Sequence, residues 1–361
     1  MNRDLFFNFF PVPKYLELPS VGIDISDNCV RYVEINKSGG RLKLGKYGKR
    51  VLGSEEKPYE HDETIEDSRL GRILSEIKEK NNFESVNASL PEDQAYFLKL
   101  RLPGVEASEI HEAIELQIED HVPYSAEEVI FDYEIINAGE KVSHIDVAVS
   151  VIPKIVSEKY ITTLNLSGYK VSSLVIESDA ITKAVVPRGS KEAHIVVNVG
   201  KNKTVISIVN GGTVWISDTI KAGGDLLTGL ISKYLKVDLV SAEDMKFKNG
   251  LSEIKDNLVF EPLALGLSSI RDEISRYHTY WTSNKEEVSS GDKQITQIIL
   301  CGKDANIPGI DNYLSSSLRL PTVIANPWVN VESFEKHIPD MPRKDSLEYA
   351  TAIGLALNNL F

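Results

Sequence analysis

Two polar turns, far apart in the chain, carry residue types that hold phosphate groups in proteins. The first lies in "VGIDISDNCVRYVEI", and its polar residues are Asp24, Ser26, Asp27 and Asn28. The second lies in "HIVVNVGKNKTVISIV", and its candidate residues are Asn198, Gly200, Lys201 and Asn202. Both stretches predict a strand, a tight turn and a second strand. If the two turns face one cleft, their N–H groups could surround a polyphosphate, and Asp24 could hold Mg²⁺ through water.

Two other places have residue pairs with a defined position on a predicted helix. Gly223 and Gly224 stand at the start of a predicted helix, where backbone N–H groups and the helix dipole favour an anion. Glu243 and Lys246 are three residues apart and therefore share one side of a predicted helix. Taken alone, this pair is better explained by a salt bridge on a solvated helix face.

The elements around the two turns repeat along the chain. Residues 19–190 begin with three predicted strands and end in helices, and residues 191–361 follow the same order. The polar stretch "PRGSKEA" separates the two halves. A repeat of this length predicts two related lobes that face each other across a cleft.

The composition limits the class of partner. The 361 residues carry a formal net charge of −13, which argues against a general binder of nucleic acids or of anionic membranes. Cys29 and Cys301 match no metal-ligand spacing and are interpreted as buried strand residues. His111, His121 and His144 form no metal-binding pattern either. No apolar run approaches the roughly 18 residues of a membrane span.

Residues 1–18 contain a compact apolar group, which consists of Leu5, Phe6, Phe7, Phe9 and Phe10. The group is short for a signal peptide, and no small-residue cleavage site follows it. One interpretation is a tail that packs on its own domain. The other is an anchor at a membrane interface or a contact for a partner, because grouped exposed aromatic side chains are often used in this way.

The order of these segments resembles the PilM family, actin-like proteins of type IV pilus assembly that are related to the division protein FtsA. "GIDISDNCVRYVEI" looks like the family's first phosphate motif, and "VVNVGKNKTVISIVNGGTVWISDTIKAGGDLLT" looks like its second phosphate region. "SAEDMK" resembles the element whose acid and lysine contact the ribose and base, and "ILCGKDANIPGI" resembles the adenosine motif. "SLPEDQAYFLKLRLPGVEASEIHEAIELQIEDHVPYSAEEVIFDYEII" resembles the family's inserted subdomain.

The resemblance implies an α/β actin-like ATPase fold, with two RNase H-like lobes around a nucleotide cleft. A small α+β subdomain is inserted in the first lobe at residues 84–165. The cleft is expected to hold ATP or ADP with Mg²⁺, and Asp24 is the expected metal ligand. The expected nucleotide-binding residues are Asp24, Ser26, Asp27, Asn28, Asn198, Gly200, Lys201, Asn202, Gly223, Gly224, Glu243, Lys246, Gly302 and Lys303.

The sequence departs from the family pattern in each nucleotide motif. Ser26 stands where glycine is usual, Asn198 stands where aspartate is usual, and Lys303 follows Gly302 where a second glycine is usual. The loss of a carboxylate at Asn198 predicts weaker binding of metal and nucleotide. Lys303 is expected either in the base pocket or on a phosphate.

The function implied by the resemblance is that of an adaptor in the cytoplasm, at the inner face of the cytoplasmic membrane. It would bind the N-terminal cytoplasmic tail of a PilN-like membrane protein, together with other pilus assembly proteins. Contact with the membrane is expected to be indirect or through residues 1–18.

Two alternatives come from the same superfamily. A sugar- or acetate-kinase-type phosphotransferase needs a general base, for which Glu177 is a weak candidate. No catalytic residue is assigned, so at most a very weak ATPase is expected. An FtsA-like filament protein usually has a C-terminal linker and membrane helix, whereas this sequence ends at Phe361, directly after a predicted helix.

The inserted segment is the expected docking place for the tail. Its predicted strands "AYFLKLRL" and "VIFDYEII" have alternating side chains, which suits recognition of an extended peptide. A neighbouring acidic region is expected to favour a tail with Lys or Arg and a free amino terminus. Its acids are Glu106, Glu109, Glu112, Glu115, Glu119 and Asp120. The alternative interpretation is a solvated acidic helix face.

Overall fold

The structure is a computed structural model that describes residues 19–26, 29–38, 41–52, 69–104, 106, 108–137, 144–252, 257–283, 294–331 and 339–360. Asp27, Asn28 and residues 1–18 lie outside the described residues. The strands are β1 (Ser20–Ser26), β2 (Cys29–Ser38), β3 (Arg41–Val51), β4 (Ser85–Leu90), β5 (Tyr96–Pro103), β6 (Val129–Asn137), β7 (His144–Pro153), β8 (Lys170–Ile176), β9 (Ala193–Val199), β10 (Thr204–Asn210), β11 (Thr213–Ile220), β12 (Ile295–Cys301) and β13 (Thr322–Ile324). The α-helices are α1 (Arg69–Asn81), α2 (Ile110–Ile118), α3 (Lys154–Leu166), α4 (Glu177–Val185), α5 (Gly224–Leu235), α6 (Leu239–Lys248), α7 (Phe260–Ser283), α8 (Ile310–Leu318), α9 (Arg343–Ser346) and α10 (Ala350–Leu357).

Two five-stranded sheets have the same topology, as the repeated strand pattern predicts. The first has the order β3-β2-β1-β4-β8, and the second has the order β11-β10-β9-β12-β13. In each, the first three strands are antiparallel, and two parallel strands follow. The central strands β1 and β9 are almost entirely buried. Burial of this kind is expected where apolar, β-branched strands are covered on both faces.

A smaller antiparallel sheet with the order β5-β7-β6 is inserted between β4 and β8 of the first sheet. Helix α2 covers it with Ile110, Ile114 and Ile118, which are spaced four residues apart and fully buried. Their partners include Leu100, Leu102 and Val149 of the sheet. This arrangement leaves β5 and β6 as the two edges of the inserted sheet.

Helices α4 and α10 are in close contact, and α10 also lies on β1 and β2. All eight residues of α10 are buried. A Cβ atom on Gly354 would stand 1.6 Å from the backbone oxygen of Ala180 in α4, and one on Gly22 would stand 2.1 Å from that of Ala352. Glycine is therefore required at both contacts. The repeat in the sequence places the end of the chain in the second half, residues 191–361. In the structure, α10 at this end packs on the first sheet.

Candidate functional site

A cleft of 220 Å³ lies between the two large sheets, beside the ends of β1 and β9. Its charged lining consists of Asp24, Arg31, Lys49, Glu177, Lys201, Lys203, Glu243, Lys303 and Glu348. Its other lining residues are Ser26, Cys29, Val51, Asn198, Gly200, Gly302, Leu347 and Thr351. The cleft is therefore a strongly charged site, with both signs represented.

A row of charged residues crosses the first sheet at the cleft. Asp24 on β1 pairs with Arg31 on β2, and Arg31 pairs with Lys49 on β3. Directly paired residues share one face of a sheet, so all three side chains reach the same side. The Arg31 Nη1 donates to Ser26 Oγ at 2.7 Å, and its Nη2 donates to Glu348 Oε1 at 2.9 Å. Lys49 also contacts Glu348.

The Asp24 carboxylate is buried and has a partner at each oxygen. Its Oδ2 lies 3.2 Å from Arg31 Nη1, and its Oδ1 accepts a hydrogen bond of 3.3 Å from the Ser89 hydroxyl. Burial raises the pKa of Asp24 to about 6, although Arg31 acts in the opposite direction. Asp24 is thus held by a fixed cation of the protein itself.

The second turn brings Asn198 into contact with the opposite lobe. Asn198 Nδ2 donates to Glu177 Oε1 at 3.0 Å, and Lys203 Nζ lies 3.4 Å from Glu177 Oε2. Glu177 begins α4, where the helix dipole favours an acid. These contacts connect Glu177 with the second turn, and each of its oxygens has one partner.

The predicted glycine pair supports the second turn from behind. The N–H of Gly224 donates to the Gly200 oxygen at 2.9 Å, and the N–H of Asp225 donates to the Lys201 oxygen at 2.8 Å. Because these first N–H groups of α5 are used within the protein, they are not available to a phosphate, contrary to the prediction. A Cβ atom on Gly223 would lie 2.7 Å from the oxygens of Gly200 and Lys201, so glycine permits this contact.

Lys246 is buried behind the cleft. Its ammonium lies 2.5 Å from the carboxylate of Asp304 and donates to the Gly224 oxygen at 3.0 Å. In this position Lys246 does not line the cleft, so its predicted contact with a ribose or base is not made here. Its sequence partner Glu243 lines the cleft instead and pairs with Lys303 at 2.6 Å. Hydrogen bonding from Lys303 holds the pKa of Glu243 below its ordinary value.

Gly302 is required by its backbone. Its φ of +88° lies in the region that favours glycine. A Cβ atom there would stand 2.3 Å from the Val199 oxygen and 2.6 Å from Asn198 Oδ1. The adenosine-like motif therefore touches the second turn directly, although Lys303 replaces the usual second glycine.

The structure brings eight of the predicted residues to the cleft: Asp24, Ser26, Asn198, Gly200, Lys201, Glu243, Gly302 and Lys303. Four others are described but do not line it: Asn202, Gly223, Gly224 and Lys246. Sequence reasoning missed Arg31, Lys49, Lys203 and Glu348. Arg31 could have been found, because a hairpin that pairs Ser26 with Cys29 sets Arg31 opposite Asp24.

Mg²⁺ does not fit this set of side chains. The predicted ligand Asp24 is engaged by Arg31 and Ser89. The neutral amide of Asn198 stands at the second motif and donates to Glu177. Within the described residues, no group of three or more His, Cys, Asp or Glu side chains is arranged to hold a metal ion. The metal role predicted for Asp24 is therefore not supported by this arrangement.

A second concave site, which we name the β6–β8 groove, has a volume of 630 Å³. Strand β8 is the edge of the first sheet and β6 is an edge of the inserted sheet. The lining includes 130–134 of β6, 171–176 of β8 and 212–214 at the start of β11. The groove thus lies between two strands that each have an unpaired edge.

The acids of the β6–β8 groove are Asp132, Glu134 and Asp179. Burial raises the pKa of Asp179 to about 7, Lys183 lowers it, and Glu134 and Asp132 raise it further. The acids predicted around α2 are exposed and do not line the groove. The β6–β8 groove is therefore acidic, and its acids come from β6 and α4.

A third site, the β5–α7 groove, lies at the opposite edge of the inserted sheet and has a volume of 580 Å³. It is lined by Phe97, Lys99, Arg101, Asp146, Trp215, Ile216, Asp218, Arg276, Tyr277, Tyr280 and Trp281. The predicted strand "AYFLKLRL" thus faces a different groove from "VIFDYEII". In the part of the chain that the structure describes, no helix is both long and apolar enough to cross a membrane.

Comparison with known proteins gives the family. The sequence matches the family described as type IV pilus assembly protein PilM over residues 22–360. The chain is similar to a PilM-PilN type IV pilus biogenesis complex, with a TM-score of 0.73 and 18% identity over 97% of this chain and 100% of that chain. It is also similar to MreB5 of Spiroplasma citri bound to ADP, with a TM-score of 0.54 and 15% identity over 95% and 96% of the two chains. For EutJ from Carboxydothermus hydrogenoformans the TM-score is 0.50, with 14% identity over 96% and 91%.

These similarities confirm the predicted actin-like fold. The family match covers nearly the whole chain and includes both lobes and the inserted subdomain. The chain belongs to the PilM family of type IV pilus assembly proteins.

Proposed function

We propose that this protein is a cytoplasmic adaptor of the type IV pilus assembly complex at the inner membrane. It binds the N-terminal cytoplasmic tail of a PilN-like membrane protein, and it carries ATP or ADP in the cleft. The family match supports the pilus role, and the similar PilM-PilN complex supports the class of partner.

The observation that carries the proposal is the β6–β8 groove between two open sheet edges. An extended peptide can add its backbone to an unpaired strand and place alternate side chains in pockets. The groove offers such an edge on each side, with Ile130 and Tyr133 on β6 and Val171 and Leu174 on β8. These features match a short, extended tail better than a folded partner.

Charge favours a basic tail in the β6–β8 groove. Asp132, Glu134 and Asp179 face it, and Lys183 is the basic residue in its lining. The Lys183 ammonium is already used by the Asn358 side chain. A Lys or Arg side chain, or the free amino terminus of the tail, would therefore find acidic partners there.

The nucleotide is proposed to stabilise the two lobes rather than to be turned over. Glu177 faces the cleft, but its oxygens are engaged by Asn198 and Lys203. A general base has to reach the proton that it removes, and these two contacts hold the Glu177 carboxylate against the second turn. This arrangement favours the adaptor over the kinase-type alternative.

Calorimetric titration of the full chain with a synthetic tail of the PilN-like protein tests the proposal. We expect one tail per chain, and we expect binding to be lost when the first residues of the tail are removed. Retention of full affinity by the shortened tail would contradict the proposed mode of binding. A scrambled tail of the same composition is the control for charge alone.

A further inference from the structure

We propose that the cleft binds the phosphates of a nucleotide without a divalent metal ion, because Arg31 takes the cation's place beside Asp24. The inference rests on the proposed nucleotide binding and concerns the chemistry of the same cleft. The order of the sequence motifs predicts a site that depends on a metal ion. The contacts of the four carboxylates in the cleft favour binding without one.

The Asp24 carboxylate has protein partners at the oxygens that a metal-bound water would use. A metal-bound water needs a carboxylate oxygen with a free lone pair directed at it. Here the guanidinium of Arg31 lies 3.2 Å from Oδ2, and the Ser89 hydroxyl donates to Oδ1. Ser89 is itself fixed, because its Oγ accepts a hydrogen bond of 2.9 Å from the Ile25 N–H. Each oxygen of the carboxylate therefore already has a partner in the protein, and the Arg31 guanidinium balances its charge.

The other acids of the cleft are also paired with cations of the protein. Glu177 lies 3.4 Å from Lys203, and Glu243 lies 2.6 Å from Lys303. Glu348 contacts both Arg31 and Lys49. A divalent ion would have to displace a protein cation at any of these acids. The negative charge that attracts such an ion is already balanced by that cation.

Basic side chains of the cleft supply positive charge for a phosphate. Magnesium serves nucleotide sites by neutralising phosphate oxygens, and Lys and Arg side chains can do the same. Within the described lining there are five basic side chains and four acids. Lys49, Lys201 and Lys303 remain between 32% and 53% exposed, so they can move toward a ligand.

Glu348 lies where a phosphate would contact the basic side chains of the first sheet. Although burial acts against it, Arg31 and Lys49 hold the pKa of Glu348 below its ordinary value. Its carboxylate contacts the same two cations that a phosphate would use. An entering phosphate would exchange with Glu348 and leave the Asp24–Arg31 pair in place.

The test is to measure ATP and ADP affinity of the full chain in excess Mg²⁺ and in EDTA. We expect the affinity in EDTA to equal or exceed that in Mg²⁺. The inference is overturned if Mg²⁺ tightens binding of the unaltered protein by about 10–100-fold, the range that groups around a metal site typically contribute.

Two matched variants separate the role of Arg31 from charge alone. Arg31→Ala frees Asp24, so Mg²⁺ should now tighten binding by about tenfold. Lys49→Ala removes the same charge from the same row but leaves Asp24 engaged, so binding should weaken equally with and without Mg²⁺. Equal Mg²⁺ responses of the two variants would contradict the role of Arg31. Circular dichroism checks that both fold, and the measurement on the unaltered protein needs neither variant.

Failure of the inference differs from failure of the proposed function. Binding that requires Mg²⁺ contradicts only the metal-free chemistry. No binding of ATP or ADP under either condition contradicts the nucleotide role as well, while the proposed tail binding is tested separately.

Discussion

Acidic side chains in the cleft and in the β6–β8 groove differ in what neutralises them. Asp24, Glu177, Glu243 and Glu348 all have a cation within 4.0 Å. Asp179 has no described ion-pair partner within that distance, and it faces a groove that contains two more acids. An acid without an ion pair in this groove marks where a cationic ligand is expected.

We predict that binding of the tail depends on the ionisation of Asp179. With a pKa of about 7 in the free protein, Asp179 is charged mainly above pH 7. A cation of the tail stabilises the charged form, so affinity should rise from pH 6 to pH 8. Asp179→Asn should weaken binding at pH 8 by about tenfold or more, since a hydrogen bond to a charged group contributes about 1.5–3 kcal/mol.

The control for this prediction is Asp218→Asn. Asp218 is an acid of the β5–α7 groove, outside the β6–β8 groove. Its substitution should leave both the affinity and its pH dependence unchanged. If Asp179→Asn retained the pH dependence of the unaltered protein, Asp179 would not be the group that titrates.

The sequence was informative about the turns but not about the partners of their side chains. Asp24, Asn198 and Gly302 reach one cleft, as their motifs predict. The contact of Asp24 with Arg31 depends on the strand register. The contact of Glu348 with Arg31 joins residues more than 300 positions apart in the chain. Contacts of this length have no local periodicity in the sequence, so they were missed. Lys246 shows the same limit, because helical spacing fixes its side of α6 but not what covers that side.

Glycine residues allow close contacts between the strands and helices around the cleft. Gly302 allows the end of β12 to touch the turn after β9. The hairpins, the single strands of the inserted sheet and the apolar closing helix were predictable from strand alternation, turn residues and helical spacing. That these strands form an inserted subdomain was implied only by the family resemblance. The position of α10 was not, because a uniformly apolar helix gives no direction for its neighbours. Gly22 and Gly354 specify that position through sterics alone.

We predict that Gly302→Ala destabilises the protein more than Gly189→Ala does. Both glycines have positive φ, of 88° and 75°, so the backbone strain is similar. A Cβ atom on Gly302 collides with Val199 and Asn198, whereas one on Gly189 meets no atom within 4 Å. The difference in unfolding free energy should be about 1–3 kcal/mol, the usual cost of overpacking.

Urea unfolding of the two variants measures this difference. Gly302→Ala should also lower nucleotide affinity, because the collision displaces Asn198. Equal unfolding midpoints for the two variants would show that the contact between β12 and the second turn adjusts without cost.

The whole molecule depends on buried polar contacts between its lobes. Glu92, just before the inserted sheet, is buried and accepts a hydrogen bond of 2.9 Å from the Ser178 N–H. The turn that contains Glu92 also contacts β11 of the second sheet. Burial raises the pKa of Glu92 to about 8, although the hydrogen bond from Ser178 acts in the opposite direction. Glu92 thus joins the first lobe, α4 and the second lobe.

We predict that this carboxyl makes the protein less stable as pH rises from about 4.5 to about 8. The unfolded chain releases the proton near the ordinary pKa of 4.5, whereas the folded protein keeps it up to about pH 8. Stability therefore falls across this window and is constant above it. Glu92→Gln should stabilise the protein at pH 8 by at least about 1 kcal/mol, because one pKa unit corresponds to 1.36 kcal/mol.

Thermal unfolding at pH 5 and pH 8 provides the measurement. The gain from Glu92→Gln should be large at pH 8 and small at pH 5. A gain that is equal at both pH values would mean that Glu92 does not titrate in this window.

Docking of the tail in the β6–β8 groove is tested by one pair of variants on β6. Ile130 and Ile135 are both on β6 and both 46% exposed, but only Ile130 lines the groove. Tail affinity should be measured by calorimetry for Ile130→Arg and Ile135→Arg. We predict that Ile130→Arg weakens binding by about tenfold or more, as a residue at the centre of an interface does, while Ile135→Arg leaves it unchanged. Equal affinities for the two variants, or a loss confined to Ile135→Arg, would contradict docking in this groove.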